Sequence, residues 1–230
     1  MIRRLFLTCF AIIAVLYGTA QAAEAIKIGT TQSLTGHYSE FGIEQLRGLQ
    51  MWAADVNARG KLLGRPVEVV HYDDGSRDAG SVAGFEKLMT KDQVDFLVGP
   101  YSSSLTLKAS LVAEKYKTPM ISTAASAEEI WNRGLKNVFA ADTPVDDYLD
   151  GFHMAAKAGA KTIALIYART EFGEELAASA RRRMENYGLR IVLDEGYAPE
   201  QQDFTSLAKR LGNVDADLIF GISYLDDSVA

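Results

Sequence analysis

A single cysteine, Cys9, occurs in 230 residues, so no disulfide can close within the chain and no thiolate metal site can be assembled. Histidine is nearly as scarce. His37, His71 and His153 lie far apart and form no His-x-x-x-His pair, which removes the usual spacing of a zinc site. Five prolines and 19 glycines, with no repeat, Gly/Ser linker or low-complexity stretch, exclude fibrous and disordered classes. Positive charge is in deficit: 24 Lys and Arg against 30 Asp and Glu leave a formal charge of −6. A broad phosphate-binding surface needs the reverse, so no nucleic-acid partner is expected. The basic triplet Arg181-Arg182-Arg183 shares its predicted helix with Glu174, Glu175 and Glu185 and reads as a charged outer face. Catalytic signatures are missing too: there is no phosphate loop, no Gly-x-Gly-x-x-Gly after a strand and no Gly-x-Ser-x-Gly elbow. No nucleophile, base and orienting acid can be assembled, so neither enzyme chemistry nor a cofactor is expected. Asp73, Asp74 and Asp78 surround Gly75 without the spacing of a calcium loop, and a solvated turn is expected there.

The composition that remains is that of a globular protein, 48% hydrophobic and 23% charged. Residues 1–22 read as a secretory leader. Arg3 and Arg4 form a positive start, an apolar run extends from Leu5 to about Gly18, and Ala20-Gln21-Ala22 supplies a cleavage site. The run is short for a membrane span, so no stable membrane insertion is expected after cleavage. Cleavage removes two arginines, no acidic residue and the only cysteine, which takes the formal charge from −6 to −8. An acidic, cysteine-free exported chain fits a periplasm.

Beyond the leader, short β-branched runs alternate with helical periods. Strands are expected at 26–30, 66–72, 94–98, 119–122, 138–140, 162–167, 189–193 and 217–222, and helices at 43–58, 81–91, 105–116, 145–158, 172–187 and 204–211. This alternation predicts an α/β fold of right-handed βαβ units and parallel sheets flanked by helices. Core faces recur at three and four: Val82, Phe85 and Leu88; Leu105, Ala109, Val112 and Tyr116; Leu176, Ala180, Met184 and Tyr187. The unbroken apolar runs Phe96-Leu97-Val98 and Ile163-Ala164-Leu165-Ile166 predict strands covered by helices on both sides. The one internal boundary falls at Asp142-Thr143-Pro144, which divides the mature chain into lobes at 23–142 and 143–230. After Ile222 a loop leads into what reads as the first turn of a helix, so the second lobe is expected to be incomplete and the chain to be part of a longer protein.

Two segments place small hydroxyl residues between a buried strand and the next helix: Gly99-Pro100-Tyr101-Ser102-Ser103-Ser104 and Ser122-Thr123-Ala124-Ala125-Ser126. In an open parallel sheet these positions lie at the carboxyl edge, where ligands bind, and free N–H groups at a helix start favour an anion such as a carboxylate. The alternative is that the serines are helix N-caps. A third segment, Ser33 to Gly42, would lie at the same edge, with aromatic side chains able to close over a ligand.

These segments, with Ile26-Lys27-Ile28-Gly29, Tyr72-Asp73-Asp74 and Phe172-Gly173-Glu174, resemble in order the type I periplasmic binding proteins. The chain is similar to the leucine/isoleucine/valine-binding proteins among them. The resemblance implies two Rossmann-like lobes that close on a hydrophobic amino acid, or a related amide or small carboxylate, and a permease of an ABC importer as partner. Carried over by position, it implies that Ser102 and Ser126 hold the ligand's carboxylate, with Tyr101 and Ser103 beside them. Ala124 and Ala125 would contact the ligand, the Ala124 carbonyl facing the ammonium. Phe41, Phe172 and Tyr224 would line the pocket. Phe41 and Phe172 stand where relatives often carry Tyr, and Phe172 also falls in register with Leu176 as a core position. An acidic partner for the ammonium is expected beyond residue 230. The same fold also serves as a ligand detector in signalling, which stands as the alternative.

Overall fold

The computed structural model describes residues 23–229; the expected leader, with Cys9, lies outside them. Eight strands form two wholly parallel sheets, one of five strands and one of three. The first holds β1 (Ile26–Gln32), β2 (Val67–Asp73), β3 (Phe96–Val98), β4 (Met120–Ser122) and β5 (Val138–Ala140), in the order β2-β1-β3-β4-β5. The second holds β6 (Thr162–Ala168), β7 (Arg190–Tyr197) and β8 (Leu218–Ile222), in the order β7-β6-β8. Between and after them run α1 (Ser39–Ala58), α2 (Asp78–Lys87), α3 (Ser103–Tyr116), α4 (Glu128–Asn132), α5 (Gly151–Lys157), α6 (Glu171–Met184), α7 (Thr205–Gly212) and α8 (Leu225–Val229).

The expected helical faces are the core. Phe85 and Leu88 pack with Leu97, Ala109, Val112 and Met120 on one face of the first sheet. Leu176, Ala180 and Met184 pack with Ile163 and Leu165 on the second. Two expectations change. The helix expected at 145–158 is a 3-10 turn at Val145–Leu149 followed by α5, because Val145 and Leu149 bury fully while nothing on α5 does. The first sheet is covered on both sides only in part: α1 packs over β1 and β2, leaving Phe96, Ile121 and Phe139 exposed along an apolar trough of about 770 Å³.

In both sheets the first strand in sequence lies inside the sheet, with later strands added to its two sides. Such a reversal parts the loops at the strands' carboxyl ends and opens a crevice there. In the first sheet it separates the loops after β1 and β3, and the Gln32 side chain donates to the Gly99 carbonyl across it at 3.2 Å. In the second it separates the loops after β6 and β8. These four loops meet, and with the loop after β4 and the turn after β5 they carry the residues of the site.

Candidate ligand site between the sheets

Seating a helix start directly over a strand end needs glycine. A Cβ at Gly42 would overlap the Ser33 carbonyl oxygen, and one at Gly173 would overlap that of Ala168. The loop after β1 is further held by the turn after β2. Asp73 accepts hydrogen bonds from the Leu34 N–H at 2.9 Å and the Thr35 hydroxyl at 2.7 Å. Burial alone would raise the Asp73 pKa, but these bonds and the Gly75 N–H hold it below the usual range. Asp74 is not solvated as expected: it is 1% exposed and accepts from the Ser33 hydroxyl at 2.6 Å and the Ser76 N–H at 2.9 Å. Burial pushes its carboxyl up.

The anchored loop delivers His37, Tyr38 and Phe41 to an aromatic cluster that spans both sheets. Phe41 stacks on Tyr101 with ring centroids 4.7 Å apart, and Tyr38 packs on Tyr224 at 5.2 Å. The Tyr224 hydroxyl pairs with that of Thr170 at 3.2 Å, while Thr170 caps α6 by accepting the Gly173 N–H at 3.1 Å. Burial drives the phenols of Tyr38, Tyr101 and Tyr224 upward, so they stay neutral. Against this cluster lie two small cavities. One, of about 100 Å³, is lined by Tyr101, Ser102, Ser103, Ala124, Ser126, Tyr148, Phe172 and Tyr224. The other, of about 80 Å³, is bounded by Phe41, Tyr101, Thr170, Phe172, Ser223 and Tyr224, with Ile222.

Eight of the nine residues singled out from the sequence therefore line one cavity or the other. Ala125 does not: it is fully buried, and its N–H donates to the Asp142 carboxylate, which burial pushes up. Phe172 both lines the cavities and packs on the core of the second sheet, so its two expected positions coincide. The serines are divided in their roles. The Ser103 hydroxyl accepts the Ala127 N–H at 3.2 Å, and that of Ser104 accepts the Glu171 N–H across the sheets at 3.2 Å. Ser102 occupies the N-cap position of α3 but makes no capping bond. Its hydroxyl is buried with no hydrogen-bond partner of normal geometry, although the Tyr38 phenol is close enough to feel it.

Tyr148 and Thr170 carry no motif, and the sequence did not single them out. Tyr148 lies where a continuous helix was expected; its ring meets Phe172 edge-on and its hydroxyl lies 3.3 Å from that of Ser126. No carboxylate lines either cavity among the described residues. The 14-residue helix α3 starts at the first cavity, and its positive end favours an anion there. The chemistry offered is neutral hydroxyl donors at one end and aromatic walls around them. Among the described residues no three His, Cys, Asp or Glu side chains group to hold a metal, and no helix is long and apolar enough to cross a membrane.

Two parallel α/β sheets whose switch points face each other across a small amphipathic cavity have the architecture of a type I periplasmic binding protein. The family model for periplasmic binding proteins matches residues 25–230, and the chain belongs to that family. It is 29% identical over 97% of its length to Leu/Ile/Val-binding protein homolog 7 of Brucella suis, and 26% identical over 90% to the Leu/Ile/Val-binding protein of Escherichia coli. It spans 58% and 57% of the length of these relatives. A solved structure with the same fold is the branched-chain amino acid transporter substrate-binding protein LivJ of Streptococcus pneumoniae in complex with isoleucine. There the TM-score is 0.79 and the identity 26%, over 87% of this chain and 57% of that one.

Proposed function

We propose that this chain is the extracytoplasmic receptor of an ABC importer, acting in the periplasm without catalysis. It holds a hydrophobic amino acid, or a related small carboxylate or amide, between two lobes that we divide at 142/143. The observation that carries this reading is the buried Ser102 hydroxyl, which lines the cavity and has no partner of normal geometry. A buried polar group left unpaired costs free energy, and a carboxylate would satisfy it. Ser126 supplies the second hydroxyl, and the Ala124 carbonyl faces the ligand's ammonium. Phe41, Tyr101, Phe172 and Tyr224 enclose the apolar part, while Ser103 and Ala125 hold the frame through Ala127 and Asp142. The names of the relatives, and the isoleucine in the LivJ structure, support the same ligand class.

Hydrogen bonds to a charged group contribute about 1.5–3 kcal/mol each. Two or three of them, with burial against the aromatic walls, suffice for the roughly −8 kcal/mol of micromolar binding. A ligand touching both lobes stabilises their closed arrangement, which a permease can read. The test is a thermal-shift screen of the full chain with amino acids, their amides and small carboxylates. At about 100 times Kd a true ligand adds about 2.7 kcal/mol of stability, a rise of several degrees. No shift with any member of the panel refutes the proposal.

A further inference from the structure

The turn that carries Tyr148 is fixed on both sides. Val145 and Leu149 are fully buried in the core of the second sheet, the Ser179 hydroxyl bonds the Asp146 carboxylate, and Arg183 donates to the Asp146 carbonyl at 2.6 Å. From this anchored base the Tyr148 ring reaches the cavity and packs edge-on against Phe172, with centroids 5.5 Å apart and planes at 72°. Every other residue lining the 100 Å³ cavity is buried or half-buried, whereas Tyr148 is 49% exposed. Its ring is therefore the wall between cavity and solvent.

The hydroxyl adds a second effect. Tyr148 Oη and Ser126 Oγ are 3.3 Å apart, and either can donate. Each hydroxyl carries one proton. When the phenol donates to Ser126, the serine's own proton is free for an acceptor in the cavity; in the reverse arrangement it is consumed. An anion in the cavity selects the first arrangement.

We propose that Tyr148 is a specificity-determining residue of this site, limiting ligand size through its ring and holding Ser126 as a donor through its hydroxyl. The proposal deepens the carboxylate-binding function above and rests on it. Calorimetric titration of the full chain with isoleucine and with phenylalanine tests it, using wild type, Tyr148→Phe and Tyr148→Ala. Loss of one neutral hydrogen bond in Tyr148→Phe weakens both ligands about fivefold and leaves their ratio unchanged. Removal of the wall in Tyr148→Ala shifts the ratio about tenfold towards phenylalanine, as expected when pocket volume sets selectivity. A purely structural role would lower both affinities together without moving the ratio. If Tyr148→Ala does not fold, Tyr148→Leu carries the same comparison. Wild type that binds either ligand, with a ratio unmoved by the truncation, overturns this proposal alone. Wild type that binds neither overturns it together with the amino-acid function.

Discussion

Ser102, Ser103 and Ser104 share a side chain and a neighbourhood, yet of the three only the Ser102 hydroxyl is buried without a hydrogen-bond partner. Ser103 and Ser104 accept N–H groups from Ala127 and Glu171, so they join segments of the chain. Ser102 sits at the cap position without capping. Because its hydroxyl has no strong bond to lose, Ser102→Ala should leave the denaturation midpoint unchanged or slightly raised. It should also weaken a carboxylate ligand about tenfold, the value of one charge-assisted hydrogen bond. Chemical denaturation beside calorimetry checks this, and a fall in stability with unchanged affinity would contradict it. The sequence identified the serines as a group but not their division of labour, because N-cap preference and ligand contact call for the same residue type. The burial of Asp74 is illegible for a related reason: three aspartates around a glycine look solvated, and the Ser33 hydroxyl that donates to Asp74 comes from a strand end 41 residues away.

The elements themselves were largely readable, because alternating strands and helices announce their periods. The exceptions are short. The five-residue helix α4 has too few turns to show a period, and the break before α5 falls where Gly151 follows the buried pair Val145 and Leu149. That break turns Tyr148 into a cavity wall, a role that a continuous helix over 145–158 would hide. Helix starts are the more exacting feature. Gly173 in the first turn of α6 lies against the Ala168 carbonyl at the end of β6, and the same turn carries Phe172 and is capped by Thr170. Gly173→Ala pushes the helix off the strand, so overpacking should cost about 1–3 kcal/mol. At about 2–4 °C per kcal/mol for a chain of this size, a melting scan should show a clear drop, with weaker ligand binding because Phe172 moves too. An unchanged melting temperature would mean that the helix has room to shift.

In the assembled molecule the two sheets touch through polar as well as aromatic groups. Ser104 accepts the Glu171 N–H, Glu175 accepts the Glu128 N–H at 2.7 Å, and Tyr38 packs on Tyr224. Residues of both sheets line the two cavities, so a ligand bound there would touch both. The parallel architecture followed from the sequence, but the uncovered stretch of the first sheet did not. Phe96, Ile121 and Phe139 are apolar whether or not a helix lies over them, and a run of apolar residues does not reveal how far α1 extends across the face. We propose that a cleft poor in charge, between two parallel sheets, binds a small amphipathic ligand by its carboxylate. Calorimetric titration of the full chain with isoleucine and with isoleucinol, which keeps the side chain and ammonium but lacks the carboxylate, tests it most directly. Isoleucine should bind at least about tenfold more tightly, since one or more charge-assisted hydrogen bonds are lost with the carboxylate. Equal affinities would contradict recognition of the ligand through its carboxylate.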